Sequence, residues 1–499
     1  MNSLPAHFLL GKTMHKSAIS FLNISENTNS YLKKCELYWL SWFINETAII
    51  RKRAGVSMFS KNALKKLIIP LIIEQILAVT VGMADTMMVS HAGEAAISGV
   101  SLVDMINNLL ISVFAALATG GAVVTAQFIG GKKKEKSLES ARQLIFIAAC
   151  ISTIIMGLCL ILRRPVLRGL FGSIDSEVME NATIYFMISA LSYPFLAVYN
   201  SCAALFRAIG NSRISMRVSI LMNLINVTGN AICIYSLSMG VAGVAIPSLV
   251  SRAFAAVVML ILIRNPKNEV YLKKGLIIPN KDMIGKILYI GIPNGLENGL
   301  FQFGRVIVVS IIAGFGTVQI AANAVANSVD SMGCIAGQAM SLAMITVVGQ
   351  CVGAGDEEQV RFYTKKLMKL TYGITAAVNT CILLALPWIL SIFSLTPETR
   401  KLAYILIMIH NGFAILFWPA SFTLPNALRA CNDVKFAMFV SIFSMVAFRI
   451  LFSYILGVGF GLGAIGVWIA MLMDWIFRVI CFVLRFASGV WRKKAGIAA

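Results

Sequence analysis

Apolar residues arrive along this chain in long blocks, not on one face of a helix or at alternate positions. Residues 143–162 (QLIFIAACISTIIMGLCLIL) carry no charge, and neither do 436–448 or 450–473. A block of about 20 apolar residues crosses the ~30 Å hydrocarbon core of a bilayer at 1.5 Å rise per residue. A buried helix in a soluble protein accounts for one such block but not for a dozen. The blocks predict spans at roughly 66–90, 96–127, 141–162, 180–205, 214–237 and 242–263, then 285–312, 318–350, 366–387, 401–428, 435–458 and 462–485. The stretch 1–57 is mixed and aperiodic, and its LYWLSWFI segment is too short to span. It reads as a cytoplasmic extension, an interfacial segment or, the favoured reading, upstream sequence translated from a misplaced start. Met58 opens a short basic leader running directly into the first span.

The polar residues between and within the blocks show one unit written twice. At an offset of 223 residues, Pro70 and Glu74 match Pro293 and Glu297, Gly93 matches Gly316, and Ile97 matches Ile320. Gln127, Gly130 and Glu135 likewise match Gln350, Gly353 and Glu358, and Gly243 and Val244 match Gly466 and Val467. At 222, Arg207, Ala208 and Met216 match Arg429, Ala430 and Met438. Shared apolar background aligns Leu with Ile; it does not align Pro, Glu, Gln and Arg. Each half holds six spans, an even number, so both halves insert the same way round, related by an axis along the membrane normal. The fold class is therefore an all-α integral membrane protein of twelve transmembrane helices in two six-helix halves. The expected organisation is the extension 1–57, an amino-terminal lobe 58–263, a linker 264–284, a carboxy-terminal lobe 285–486 and a tail 487–499.

Composition agrees: 58% of residues are hydrophobic and 13% charged, against about 25% charged in soluble domains. The formal charge of +21 would raise nucleic acid as a partner in a soluble protein. Here the basic residues sit in short loops on one side: Lys132, Lys133, Lys134 and Lys136, then Arg207, Arg213 and Arg217, then Arg361, Lys365 and Lys366, then Arg492, Lys493 and Lys494. The positive-inside rule makes that side the cytoplasm, with both termini there and the chain in the cell's inner (plasma) membrane. Arg163, Arg164 and Arg168 are the exception, on the outer side, with Asp175, Glu177 and Glu180 following in the same loop. The ten cysteines form no CxxC pair, and no spacing suggests zinc or a disulfide framework.

Several motifs resemble one family. MADTMMVSHAGEAAISGVSL, ATGGAVVTAQFIGGKKKEK and its partner SLAMITVVGQCVGAGDEEQ are similar to segments of multidrug and toxic compound extrusion (MATE) transporters of bacterial type. So are ALFRAIGNSRISM and ALRACNDVKFAM after spans four and ten, and GVAGVAIPS and GLGAIGVWIA at the starts of spans six and twelve. The resemblance covers residues 60–486 and rests on the order, spacing and duplication of these motifs together. It implies two lobes around a central cleft and export of organic cations, drugs or metabolites in exchange for protons or sodium. No cofactor beyond the coupling ion is implied, no metal, no nucleic acid, and the expected state is a monomer holding a small cationic or amphipathic substrate.

An ionisable group at bilayer depth costs at least ~2.5–3.5 kcal/mol on insertion scales, so it usually faces protein or a watery cavity. Glu74 and Asp85 share the first span; at 100° per residue they fall on one face, ~16 Å apart along the axis. Asp85, in the ADT motif, resembles the acid to which the family assigns cation coupling in the amino-terminal lobe; its repeat partner is Val308. The plain alternative is an acid hydrogen-bonded to Thr86 or loop backbone. Glu297 resembles the cation-site glutamate of the carboxy-terminal lobe in some members, with Asn294, Asn298 and Gln302 nearby on the helix. Arg305 lies on nearly the same face as Asn298, as a cleft residue or as the partner of an acid. The family's aspartate on span ten is missing from GFAILFWPASFTLPNALR. Asp104 with Asn107, and Asn327 with Asp330, correspond in the repeat with acid and amide exchanged. They line the cleft, or hydrogen-bond between helices of the two lobes. Thus Asp85, Glu74 and Glu297 are the candidate coupling residues, and Asp104, Asn107, Asn298, Gln302, Arg305, Asn327 and Asp330 the candidate cleft residues.

A flippase for lipid-linked precursors is the alternative within transport, but such proteins often have fourteen spans and a more cationic cavity. A membrane-embedded enzyme would need clustered acid–base or metal-ligating groups. His91 and His410 look isolated in sequence, and no nucleotide-binding motif appears. The reading is a transporter driven by an ion gradient, not an enzyme.

Overall fold

Each apolar block becomes a helix because a bilayer offers no water to backbone N–H and C=O groups, which must pair within the segment. The computed structural model describes residues 58–497 apart from 90, 92, 173, 174, 274, 276, 277 and 394. The extension 1–57, with the expectation about its start, lies outside the described residues. The first half contains α1 (Lys61–Val89), α2 (Glu94–Gly130), α3 (Lys134–Phe171), α4 (Ser176–Leu191 continued by Tyr193–Ala208), α5 (Ser212–Ser236) and α6 (Ala242–Ile263). The second contains α7 (Lys281–Ala313), α8 (Thr317–Gly353), α9 (Glu357–Ile392), α10 (Pro397–Ala430), α11 (Val434–Gly459) and α12 (Gly463–Ala487). A short α13 (Trp491–Ala495) follows. Among the described residues eleven helices are long and apolar enough to cross a membrane; α4, bent by 45°, makes the twelfth. The bend falls before Pro194, whose ring removes a backbone donor.

The matched residues of the repeat mark matched structure. Gly93 and Gly316 cap α2 and α8 with φ of 101° and 98°, a conformation essentially confined to glycine. At the other ends of these helices the lobes lock together. Gln127 Nε2 donates to the Ala430 carbonyl at 2.9 Å and to Asn432 Oδ1 at 3.0 Å. Its partner in the repeat, Gln350, donates to the Ala208 carbonyl at 2.7 Å. A β-carbon on Gly130 would strike the backbone of Gln350, and one on Gly353 the backbone of Gln127.

Elsewhere α2 packs along α7 and α8, and α1 along α8, so the halves meet through exchanged contacts. A core cluster of buried residues near the basic loops draws on both halves, from Phe114 to Ile290 and on to Ile345 and Val434. Towards the opposite ends the clusters separate. One holds only amino-lobe residues such as Val89, Val103 and Phe186; the other holds only carboxy-lobe residues such as Ile312, Leu406 and Trp468. Two six-helix lobes therefore splay apart from a joint at the basic-loop end, and a cleft lies between them.

Candidate functional site

The cleft contains a cavity of about 570 Å³ whose walls come from both lobes, including Glu74 and Arg207 on one side and Arg305, Asp330, His410 and Arg449 on the other. A smaller adjoining cavity of about 320 Å³ is lined by Asn294, Glu297, Asn298 and Arg478. Two π turns shape the carboxy-lobe wall. One, Pro419–Thr423 in α10, carries Phe422; the other, Met445–Ile450 in α11, carries Arg449. Such turns shift the register of a helix by one residue and recur at functional sites.

Glu74 and Glu297 share one environment. Arg207 Nη1 lies 3.4 Å from Glu74 Oε1, and Arg429 Nη2 lies 2.6 Å from Glu297 Oε1. Ser215 adds a hydrogen bond to Glu74 Oε2 at 3.0 Å. The arginines are the repeat-matched pair at the ends of α4 and α10, so both candidate coupling glutamates sit in buried ion pairs with the residues the repeat aligned. Asn298 lines the smaller cavity; Gln302 lines neither.

In the amino-terminal lobe, Asp85 Oδ1 accepts from Asn230 Nδ2 at 2.7 Å. Asn226 stands next to Asn230 and donates to Ser248 Oγ at 2.9 Å. Among the described residues the buried Oδ1 of Asn230 has no hydrogen-bond partner. Asp104 and Asn107 do not line the cavity. Asp104 Oδ1 accepts from Tyr185 at 3.1 Å and from Asn107 Nδ2 at 3.2 Å, and Asn107 Oδ1 accepts from Tyr193 at 2.7 Å. Arg252 of α6 acts electrostatically on both Asp85 and Asp104 and donates to Ser192 Oγ at 2.6 Å.

The carboxy-terminal counterparts differ. Asn327 and Asp330 do line the cavity. Asp330 Oδ1 lies 2.7 Å from His410 Nε2 and accepts from Cys334 Sγ at 3.3 Å. Nδ1 of His410 lies 2.9 Å from Asn411 Oδ1, which orients the ring, and Trp475 and Trp468 meet that ring edge to face at 4.8 and 5.5 Å. His410 is thus not isolated: α8 and α10 bring it to an acid 80 residues earlier in the chain. The carboxylate, thiol and imidazole donors lie within 4.8 Å of one another. The set suits a borderline metal ion, although imidazole and carboxylate already satisfy each other. Behind this pair Asp474, fully buried, accepts from Arg478 Nε at 2.8 Å, with Arg449 Nη1 at 3.8 Å.

Arg252, Arg449, Asp474 and Arg478 were not among the residues the motifs picked out. Their signal was present as interruptions: the charge-free runs 436–448 and 450–473 are bounded by Arg449 and Asp474.

A two-lobed bundle of twelve spans, with a polar cavity between equivalent halves inserted the same way round, is the architecture of a secondary transporter. The MatE family profile matches residues 70–232 and 293–455, two stretches displaced by the same 223 residues as the repeat. The chain belongs to the MatE family, the multidrug and toxic compound extrusion transporters. It is similar to the uncharacterized transporter YisQ of Bacillus subtilis, with 26% identity over 456 residues, 88% of this chain and 99% of that one. The probable multidrug resistance protein NorM of Thermotoga maritima is 27% identical, over 87% of this chain and 94% of its own. Among solved structures, MATE in the bent conformation aligns with a TM-score of 0.80 at 20% identity, over 87% of this chain and 97% of that one. A MOP superfamily transporter from Pyrococcus furiosus, described as having a binding pocket of reverse polarity, aligns equally well, with a TM-score of 0.80 at 20% identity over 87% of this chain and 96% of its own.

Proposed function

We propose that this protein is a secondary active antiporter that exports amphipathic organic small molecules, drugs or metabolites among them, in exchange for protons or sodium. The observation that carries the reading is the separation of an acid in one lobe from a solvent-reaching cavity walled largely by the other. Among the described residues Asp85 accepts one side-chain hydrogen bond, from the amide of Asn230. An amide serves both charge states of a carboxyl group, with Nδ2 donating to the carboxylate or, after a flip, Oδ1 accepting from the acid. The orphan Oδ1 of Asn230 is a ready acceptor for that purpose, or an oxygen ligand for sodium. Proton or sodium entry then changes the charge inside the amino-terminal lobe, which biases how the lobes pack at their joint.

Under the same reading the joint at Gln127 and Gln350 is the cytoplasmic gate, since it lies at the basic-loop end, and both termini are cytoplasmic. The cavity binds substrate from its aromatic wall of Phe301, Trp418, Phe422 and Trp475. The names of the multidrug resistance relatives fit export of such compounds. Glu74 and Glu297, already paired with arginine, hold the lobes' internal packing and have a lesser claim on the coupling ion than Asp85. The test is transport in proteoliposomes with pH and sodium gradients imposed separately. The reading expects one gradient to drive uphill movement; movement indifferent to both would refute antiport.

A further inference from the structure

We infer that the central cavity selects organic anions, an aromatic or apolar body carrying a carboxylate or sulfonate, through Arg305 and Arg449. The inference rests on the antiport reading only in taking this cavity as the substrate site. Intramembrane acids are what point to cationic substrates in the sequence. In the structure, however, each acid on the cavity wall already has a cationic or imidazole partner. Arg207 stands by Glu74 at 3.4 Å and His410 by Asp330 at 2.7 Å; in the adjoining cavity Arg429 holds Glu297 at 2.6 Å. Asp474, behind the wall, takes Arg478 at 2.8 Å.

What remains is positive. Arg305 faces the cleft exposed, and no ion pair or hydrogen bond engages it among the described residues. Among the described residues Arg449 approaches a carboxylate only at 3.8 Å, that of Asp474, and its buried Nε has no hydrogen-bond partner. The two lobes divide the charge unequally. The amino-terminal cluster sets two acids, Asp85 and Asp104, against one arginine, Arg252. The carboxy-terminal cluster sets three arginines, 305, 449 and 478, against two acids, Asp330 and Asp474.

An arginine at bilayer depth without a counter-charge is expensive, so its presence there implies a task. Guanidinium offers a planar fork of donors matched to carboxylate and similar oxyanions, and the fork stays charged at every working pH. Arg449 lies 5.4 Å from the Phe301 ring centroid, and Phe301 and Phe422 both line the cavity. The anionic group would meet the arginines while its ring stacks on these aromatics. An incoming cation would instead find no free carboxylate on this wall.

The experiment is equilibrium binding to the full chain in phosphatidylcholine nanodiscs, followed by fluorescence anisotropy with two xanthene dyes of opposite charge, anionic fluorescein and cationic pyronin Y. The wild type should prefer fluorescein. R305Q should weaken fluorescein binding about tenfold or more, the scale of a lost charge-assisted hydrogen bond, and leave pyronin Y unchanged or improved. R305K should fall between, because a point charge replaces the fork. Arg305 is exposed, so its replacement spares the fold, and a matching thermal melt checks this. A preference for pyronin Y, no binding of fluorescein, or R305Q affinity within about twofold of wild type overturns the inference. No gradient is present in this assay. An antiport reading that fails in transport therefore leaves the binding result standing.

Discussion

Replacing Gln350 by alanine removes the 2.7 Å bond to the Ala208 carbonyl, and replacing Gln127 removes the bonds to Ala430 and Asn432 at 2.9 and 3.0 Å. Each contact crosses between lobes at the joint. A hydrogen bond contributes about 1 kcal/mol net, and a buried carbonyl left without a donor costs about 1–3 kcal/mol. Q350A should therefore weaken the joint by about 1–2 kcal/mol, raising the opened population roughly 5- to 30-fold, and Q127A by about 2 kcal/mol, roughly 30-fold. The native cysteines Cys351 and Cys431 are fully buried beside these glutamines. Their labelling by a membrane-impermeant maleimide, mapped by mass spectrometry, scales with the opened population even when that population is small. The readout is crossed: Q350A is read at Cys431 and Q127A at Cys351. Opening of the whole joint accelerates both cysteines in either variant. Acceleration confined to the cysteine beside the substituted glutamine would mean local loosening and refute the lock.

Glu297→Gln leaves Arg429 uncompensated in a buried site, at a cost of about 3–5 kcal/mol, whereas Glu74→Gln breaks a longer and more exposed pair and costs less. Thermal unfolding in detergent should rank E297Q well below E74Q; an unshifted melting temperature combined with lost ion coupling would return Glu297 to the coupling site. Gly93→Ala and Gly316→Ala should each cost about 1–3 kcal/mol, because φ near +100° strains any β-carbon. Gly157→Ala, in a helix with open space around it, should be neutral or stabilising by the same melts; equal effects at all three positions would discount the cap argument.

Much of this architecture was legible along the chain because the bilayer imposes it. Twelve blocks became twelve spans, since lipid leaves the backbone no partner outside its own helix. The repeat was legible at the residues least interchangeable by chance, and those residues turn out to share contacts. Gln127 and Gln350 reach Ala430 and Ala208, the aligned alanines, and Glu74 and Glu297 reach Arg207 and Arg429, the aligned arginines. The pairings themselves were not legible, because their members stand more than a hundred residues apart and no local spacing records them. His410 looked solitary because Asp330, 80 residues earlier, comes to it only through the packing of α8 on α10. The π turns carry no clear pattern beyond Pro419, which begins one of them. Symmetry misled at one place. Asp104–Asn107 and Asn327–Asp330 look equivalent, yet Tyr185 and Tyr193 draw the first pair into its lobe while the second faces the cavity. Their repeat partners, Met408 and Leu416, offer no hydroxyl.

In the proposed antiport an ion entering at Asp85 drives substrate movement through a cavity it does not share. The most direct measurement is uphill transport in proteoliposomes by wild type and Asp85→Asn, with Asp104→Asn as the comparison, under imposed pH and sodium gradients. Asparagine keeps the shape and the contact with Asn230 but cannot change charge. D85N should stay folded and inserted, still exchange substrate across the membrane at equal concentrations, and no longer accumulate it against a gradient. D104N should retain gradient-driven accumulation. Accumulation by D85N with the wild-type dependence on either gradient would rule out coupling at Asp85 and leave it a structural hydrogen-bond acceptor.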